Sequence, residues 1–120
     1  MIKGLRGATI WSENVNNLLP FYRDVLGLKI ALQIDGFVVL GDLGTPTLAL
    51  GTHSDVHGRN ADPARHMVGL ATDDVDTECK RLRDAGVEFI ESPTNYGALR
   101  IATLKDPEGN LLQLLQAINP

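Results

Sequence analysis

A chain of 120 residues, 43% hydrophobic and 22% charged, has the length and composition of one ordered domain with its own core. A net charge of −4 argues against a nucleic-acid partner, and no apolar run approaches the roughly 20 residues that span a bilayer. Cys79 is the single cysteine, which excludes an intrachain disulfide and a cysteine metal cluster; with no apolar leader core in MIKGLRGATIW, a cytoplasmic location is expected.

Residues 5–13, LRGATIWSE, read as a short strand. Asn14 then stands where an N-cap is needed, its side chain able to accept from free backbone N–H groups. Val15, Leu18, Leu19, Tyr22, Val25 and Leu26 follow at helical spacing, which predicts a helix over about 15–26 whose first turn Pro20 makes irregular. Gly27 closes it as a C′ glycine. LKIALQI is a strand, Asp35-Gly36 a hairpin turn, FVVLGDL the next strand and TLALGT the fourth.

Residues 53–64, HSDVHGRNADPA, are polar and aperiodic, and read as a linker. His53 and His57 lie four apart within it, a spacing that would suit a metal only on a helix, so a solvated loop is expected. The earlier order then recurs. HMVGLAT is a strand, and Asp73 or Asp74 caps a helix carrying Val75, Cys79, Leu82 and Ala85. Gly86 ends it; VEFIE is a strand, SPTNYG a loop, ALRIATL a strand, DPEGN a tight turn and LLQLLQ the last strand.

The recurrence has a fixed offset. Asn14-Val15 and Asp74-Val75 lie 60 residues apart, as do Arg23-Asp24 and Arg83-Asp84, while Asp42 and Asp106, each before a glycine turn and an apolar strand, lie 64 apart. One β-α-β-β-β unit is used twice, with modules at about 5–52 and 65–116. The sequence therefore predicts a single α+β domain over 1–120, with the two modules forming one curved, eight-stranded mixed sheet and the helices on its convex side.

Three segments carry a family resemblance. FYRDVLGLKI resembles the first-helix signature of the vicinal-oxygen-chelate superfamily, which includes glyoxalase I, bleomycin-resistance proteins and extradiol dioxygenases. DDVDTECKRLRDAGVEF resembles its second-module helix and strand, and DPEGNLLQLLQ the turn that enters its last strand. The resemblance runs from about residue 5 to 116. It implies the paired-module fold, and fold alone does not assign a function.

Metal-dependent members are expected to draw His, Gln and Glu ligands from the first and fourth strand of each module. In that pattern the first-strand ligand lies seven residues before the helix cap, and the fourth-strand ligand seven after the turn Asp. These positions hold Gly7, Met67, Ala49 and Gln113. Two have no side-chain donor and a thioether poorly suits hard or borderline ions. A Glu missing from the last strand also removes the general base the family would use beside a carbonyl. No metal or other cofactor is expected; His66, one residue from Met67, would become a ligand only if a bulge rotated it inward.

Strand alternation places Thr9 and Trp11 with Gly7, Thr47 with Ala49, Gly69 and Ala71 with Met67, and Leu111 and Leu115 with Gln113. Thr9, Trp11, Thr47, Met67 and Gln113 are thus candidate ligand-binding residues, joined by Tyr96 and Arg100 beside the loop that borders the cavity mouth in the family. No catalytic residue is assigned. Metal-free relatives of this kind sequester antibiotics such as bleomycin as dimers. Three readings remain open: a homodimeric, metal-independent binder of small or aromatic molecules; an enzyme, of lyase, isomerase or dioxygenase type, with shifted or absent metal ligands; and a dimeric domain whose pocket is vestigial.

Overall fold

Two compact units, Met1–Gly58 and a second beginning at Arg59, make up the computed structural model, which describes residues 1–118. Both follow the predicted order of elements, and each builds a four-stranded mixed sheet.

In the first unit, β1 (Gly7–Ser12) leads into Asn14, whose side chain accepts from the Asn16 N–H at 3.0 Å, as an N-cap should. The helix that follows is more broken than its apolar periodicity predicts. A 3-10 turn over Val15–Asn17 is followed, past Pro20, by a π-helical turn over Phe21–Val25. Proline has no N–H to return to the preceding turn, so the ladder re-forms with a longer step, the Leu26 N–H donating to the Phe21 carbonyl at 2.9 Å. Gly27, at φ +80°, then reverses the chain, and the Leu28 N–H reaches the Tyr22 carbonyl.

The strands β2 (Ile30–Ile34), β3 (Phe37–Leu40) and β4 (Thr47–Thr52) complete the sheet in the order β1-β4-β3-β2, with β1 parallel to β4 and the other pairs antiparallel. Asp35-Gly36 forms the predicted two-residue turn, with Gly36 at φ +76°. Val15, Leu18, Leu19 and Tyr22 of the helical segment are buried, as are Val38, Leu40, Leu48 and Leu50 of the sheet, and these side chains form the unit's core. The opposite face of the sheet has no covering element from its own unit.

The second unit repeats this plan. A 3-10 turn at Pro63–Arg65 precedes β5 (Val68–Ala71), α1 (Val75–Asp84), β6 (Phe89–Tyr96), β7 (Leu99–Lys105) and β8 (Leu111–Ala117), with the sheet ordered β5-β8-β7-β6. Asp74 is the α1 cap, accepting from the Thr77 N–H at 3.1 Å. Val75, Cys79 and Leu82 turn inward with Ala102, Leu104, Leu112 and Leu114. Residues 92–96, read from sequence as a loop, are strand: β6 runs on to Tyr96 through register shifts on either side of Glu91. Pro93 is tolerated there because β6 is an edge strand, paired with β7 alone.

DPEGN owes its shape to Asp106, 4% exposed, whose carboxylate accepts from the Glu108 and Asn110 N–H groups at 2.8 and 2.9 Å and from the Asn110 side chain at 2.7 Å. The start of the second unit rests on this turn: Arg59 donates to the Pro107 carbonyl, and Asn60 bonds Glu108 and Asn110. Each module pairs its own first and last strands, so hydrogen bonding resolves the predicted eight-stranded surface into two sheets of four.

The internal repeat extends to the caps. Ser12 and Thr72, 60 residues apart, each accept from the N–H two residues on, that of Asn14 or Asp74. Thr52 and Gln116, 64 apart, each reach from the last strand of a module to accept the Val15 or Val75 N–H, both at 2.9 Å. The repeated Arg-Asp pair diverges: Arg23 bonds Asp24, whereas Arg83 bonds Ser92 and stacks over Phe89.

Candidate functional site

Cross-strand partners share a face of a sheet, so the ladders define each open face row by row. In the first unit the row Trp11, Gly51, Phe37, Ile34 is aromatic and aliphatic, and the next, Thr9, Ala49, Val39, Leu32, is nearly as apolar. Trp11 keeps 43% of its surface exposed. Its indole lies on the bare α-carbon of Gly51, where an added Cβ would collide with the ring, and contacts Phe37 at 5.9 Å between centroids. The His53 imidazole meets it edge-on at 5.4 Å, and His53 Nδ1 accepts from the Asp55 N–H. Ile34 and Leu32 are exposed beside them. Thr9 and Thr47 lie on the same face.

The second unit's open face is more polar. Gly69, Gln113, Thr103 and Glu91 form one row across β5, β8, β7 and β6. Ala71, Leu115, Ile101 and Thr94 form the next, with Tyr96 and Leu99 beyond it. Tyr96 donates to the Glu91 carboxylate at 2.8 Å, and that bond, with the adjacent negative charge, pushes the phenol pKa up. Met67 adjoins β5 on the parity of Gly69. The β5–β8 ladder has no register shift between Val68 and Ala71; His66 lies before it, at the bend that ends the Pro63–Arg65 turn.

Arg100 has a different setting from the other candidates. It shares its row with Gln116 on the α1 side of the sheet, and its guanidinium forms a two-pronged ion pair with Asp76 of α1 at 2.9 Å and bonds Asn95. The Arg100 hydrogen bonds hold the Asp76 carboxyl below its ordinary range. Glu91 and Thr103, by contrast, were not singled out from sequence. Thr103 was within reach: the DPEGN hairpin pairs Lys105 with Leu111, and counting back along it sets Thr103 opposite Gln113. Glu91 was hidden by the irregular register of β6.

A separate cavity of about 370 Å³ lies on the helical side of the first unit, lined by Asn14, Asn16, Gln33, Asp35 and Thr52 among others. Its lining is the cap and hairpin turn already described, and Trp11 takes no part in it.

Residues 5–114 match the model of the Glyoxalase/Bleomycin resistance protein/Dioxygenase superfamily. The chain belongs to this superfamily. It is similar to a lactoylglutathione lyase of Neisseria meningitidis serogroup A, 27% identical over 114 residues that cover 86% of this chain and 83% of that one. A Mycolicibacterium smegmatis protein of uncharacterised function is 30% identical over 99 residues, with 82% and 81% covered. Among solved structures, TnmS3, an antibiotic-binding protein from a Streptomyces species, superposes with a TM-score of 0.75 at 24% identity over 97% of both chains, a likeness of fold.

Superfamily membership raises the question of a metal. Of the family's ligand positions, Gly7 and Ala49 on the first sheet bring no donor, and a Cβ at Gly7 would collide with the Thr47 carbonyl oxygen. Met67 and Gln113 on the second bring a thioether and a neutral amide. Among the described residues no three His, Cys, Asp or Glu side chains cluster as a metal site. This donor set does not fit the borderline or hard ions used by metal-dependent members.

Proposed function

We propose that this superfamily member is a homodimeric protein that binds small, planar or aromatic molecules without a metal, in the manner of the bleomycin-resistance type. The reading rests above all on the exposed indole of Trp11, seated on Gly51 and flanked by Phe37, in a face with apolar neighbours. Such a platform stacks on flat ligands and on cations, contributing roughly 0.5–2 kcal/mol once desolvated. The absence of suitable donors at the family's metal positions supports a ligand held by stacking and hydrogen bonds. Gln113, Met67, Thr9 and Thr47 belong to the two open faces, and Tyr96 to the second; Arg100, tied to Asp76 on the α1 side of its sheet, belongs to neither face. The first strand, β1, is an edge paired with β4 alone, and edges of this kind support two-fold association. The buried, unpaired Cys79 suits a reducing compartment such as the cytoplasm.

The test titrates purified protein with cationic antibiotics, flavins and aromatic acids, following calorimetric heat and the emission of Trp11, the single tryptophan. Binding should perturb the emission, and Trp11→Ala should weaken it by about tenfold, since roughly 1.4 kcal/mol is a factor of ten. Metal analysis should find no stoichiometric Zn, Ni, Fe or Mn, and chelator should leave the melting temperature unchanged, because a bound ion would stabilise the fold by mass action. One tightly held metal per chain, or ligands that bind without touching Trp11 emission, would overturn the proposal.

A further inference from the structure

The row Glu91, Thr103, Gln113 is an unfilled set of hydrogen-bonding groups. These residues are successive cross-strand partners on β6, β7 and β8, so their side chains leave the same face of the sheet about 5 Å apart, along a line of about 10 Å. Thr103 is only 7% exposed, yet its hydroxyl has no hydrogen bond among the described residues, and neither does the half-buried Gln113 amide. Among the described residues no fully buried side-chain polar atom lacks a partner, so both groups keep some accessible surface. Buried polar groups are ordinarily satisfied, and a threonine this enclosed with a free hydroxyl is the exception that calls for a reason. Glu91 is half-buried and, among the described residues, forms no ion pair and accepts from Tyr96 alone. The acids on α1 and the one just before β6 are differently placed: Asp76, Glu78, Asp84 and Glu88 each pair with an Arg or Lys.

Beyond the row, Gly69 continues the line on β5 with no side chain of its own, and the Leu115 side chain lies over its α-carbon, closing that end of the line beside Gln113. Tyr96 holds one Glu91 oxygen and presents an exposed ring at the same carboxylate. An acidic acceptor without a counter-ion, a hydroxyl and an amide carbonyl in one line, with an aromatic ring beside the acid, match a planar group that carries positive charge and several N–H donors.

We propose that this face is a subsite for an amidinium or guanidinium group, with Glu91 accepting two of its N–H bonds and Thr103 and Gln113 accepting the others. The inference deepens the small-molecule binding reading, on which it rests, by naming the charged portion of the ligand.

Benzamidine is the probe, with benzamide and benzoate as its near-isosteric neutral and anionic counterparts. Nuclear magnetic resonance follows the Gln113 side-chain amide during each titration. Benzamidine should shift that signal saturably and bind at least tenfold more tightly than benzamide, and benzoate should leave the signal unmoved. Glu91→Gln should abolish the preference for benzamidine over benzamide while keeping the Tyr96 hydrogen bond, and Thr103→Val should weaken benzamidine severalfold; a thermal melt of each variant checks that it is folded. Equal binding of benzamidine and benzamide, a preference that survives Glu91→Gln, or no shift at Gln113 would overturn the subsite. Failure here accompanied by Trp11 quenching with uncharged aromatic ligands would leave the general binding reading standing, whereas failure of all ligands at both faces would remove both.

Discussion

Replacing Gly51 with alanine tests the seat of Trp11 directly. The new Cβ would come within 2.7 Å of Trp11 Cε3 and 3.0 Å of Phe37 Cδ2, with Trp11 Cζ3 nearer still. Carbon atoms are comfortable at about 3.5 Å or more, so the indole must retreat by roughly 1 Å. Overpacking of this kind costs about 1–3 kcal/mol, and the low end applies because Trp11 is 43% exposed and has space to move outward. Against this, alanine restricts the unfolded chain more than glycine does, a gain of about 0.5 kcal/mol. The net loss should be small, near 0.5–1 kcal/mol, which lowers the melting temperature by about 2–4 °C. A double-mutant cycle isolates the contact more cleanly. In a Trp11→Ala background the clash with the indole is gone, so Gly51→Ala should become neutral or stabilising, giving a coupling of about 1 kcal/mol. Urea unfolding followed by circular dichroism measures all four proteins, and the Trp11 emission of the single Gly51→Ala variant should shift to the red. Equal effects of Gly51→Ala in both backgrounds would refute the seating.

Thr52→Val removes the acceptor for the Val15 N–H and should cost about 1 kcal/mol in urea unfolding, read as a lower midpoint at unchanged slope. Asp106→Ala strips three hydrogen bonds from a buried turn and should be among the more damaging single changes, about 3 kcal/mol or more, with broadened resonances confined to residues 106–110 and the docked Arg59 and Asn60. Asp74, through Thr77, and Asp76, through Arg100, both titrate below the ordinary carboxylate range in the folded chain. Their contribution is therefore present above the unfolded carboxylate pKa and is lost as pH falls through their lower folded values; melting temperature should decline across that acid window, and Asp76→Asn should flatten part of the decline.

Much of the fold was open to reading because the module occurs twice. Asn14, Asp74, Gly27, Gly86 and the Asp35-Gly36 and DPEGN turns each have a local physical signature, and a fixed offset linked one copy to the other. Reading failed where tertiary pairing outweighed local composition. Pro20 and the broken periodicity around it hid a π-turn, whose longer hydrogen-bond step has no sequence signature. Ser92-Pro93-Thr94-Asn95 has loop composition and became strand because β7 supplies a partner and an edge position tolerates proline. Site residues on strands of regular register, Thr9, Trp11, Thr47 and Gln113, could be assigned to faces by alternation alone. Tyr96 could not, because the shifts in β6 separate sequence parity from facing direction; Arg100 keeps regular register opposite Gln116, and what stayed hidden was its attachment to Asp76, 24 residues away.

The caps supplied by Thr52 and Gln116 bear on the order of events in folding. Neither helical segment can satisfy its first N–H until a strand 37 or 41 residues away has arrived beside the module's first strand. That arrival closes a long loop, and its entropic cost falls before any stabilising contact is made. Local helix formation is therefore a poor starting point for this chain, and parallel pairing of first and last strands becomes the committing step of each module. A chain interrupted within the β3–β4 or β7–β8 connection would retain every residue of the preceding helix and yet lack both the acceptor for its first N–H and the strand that carries it.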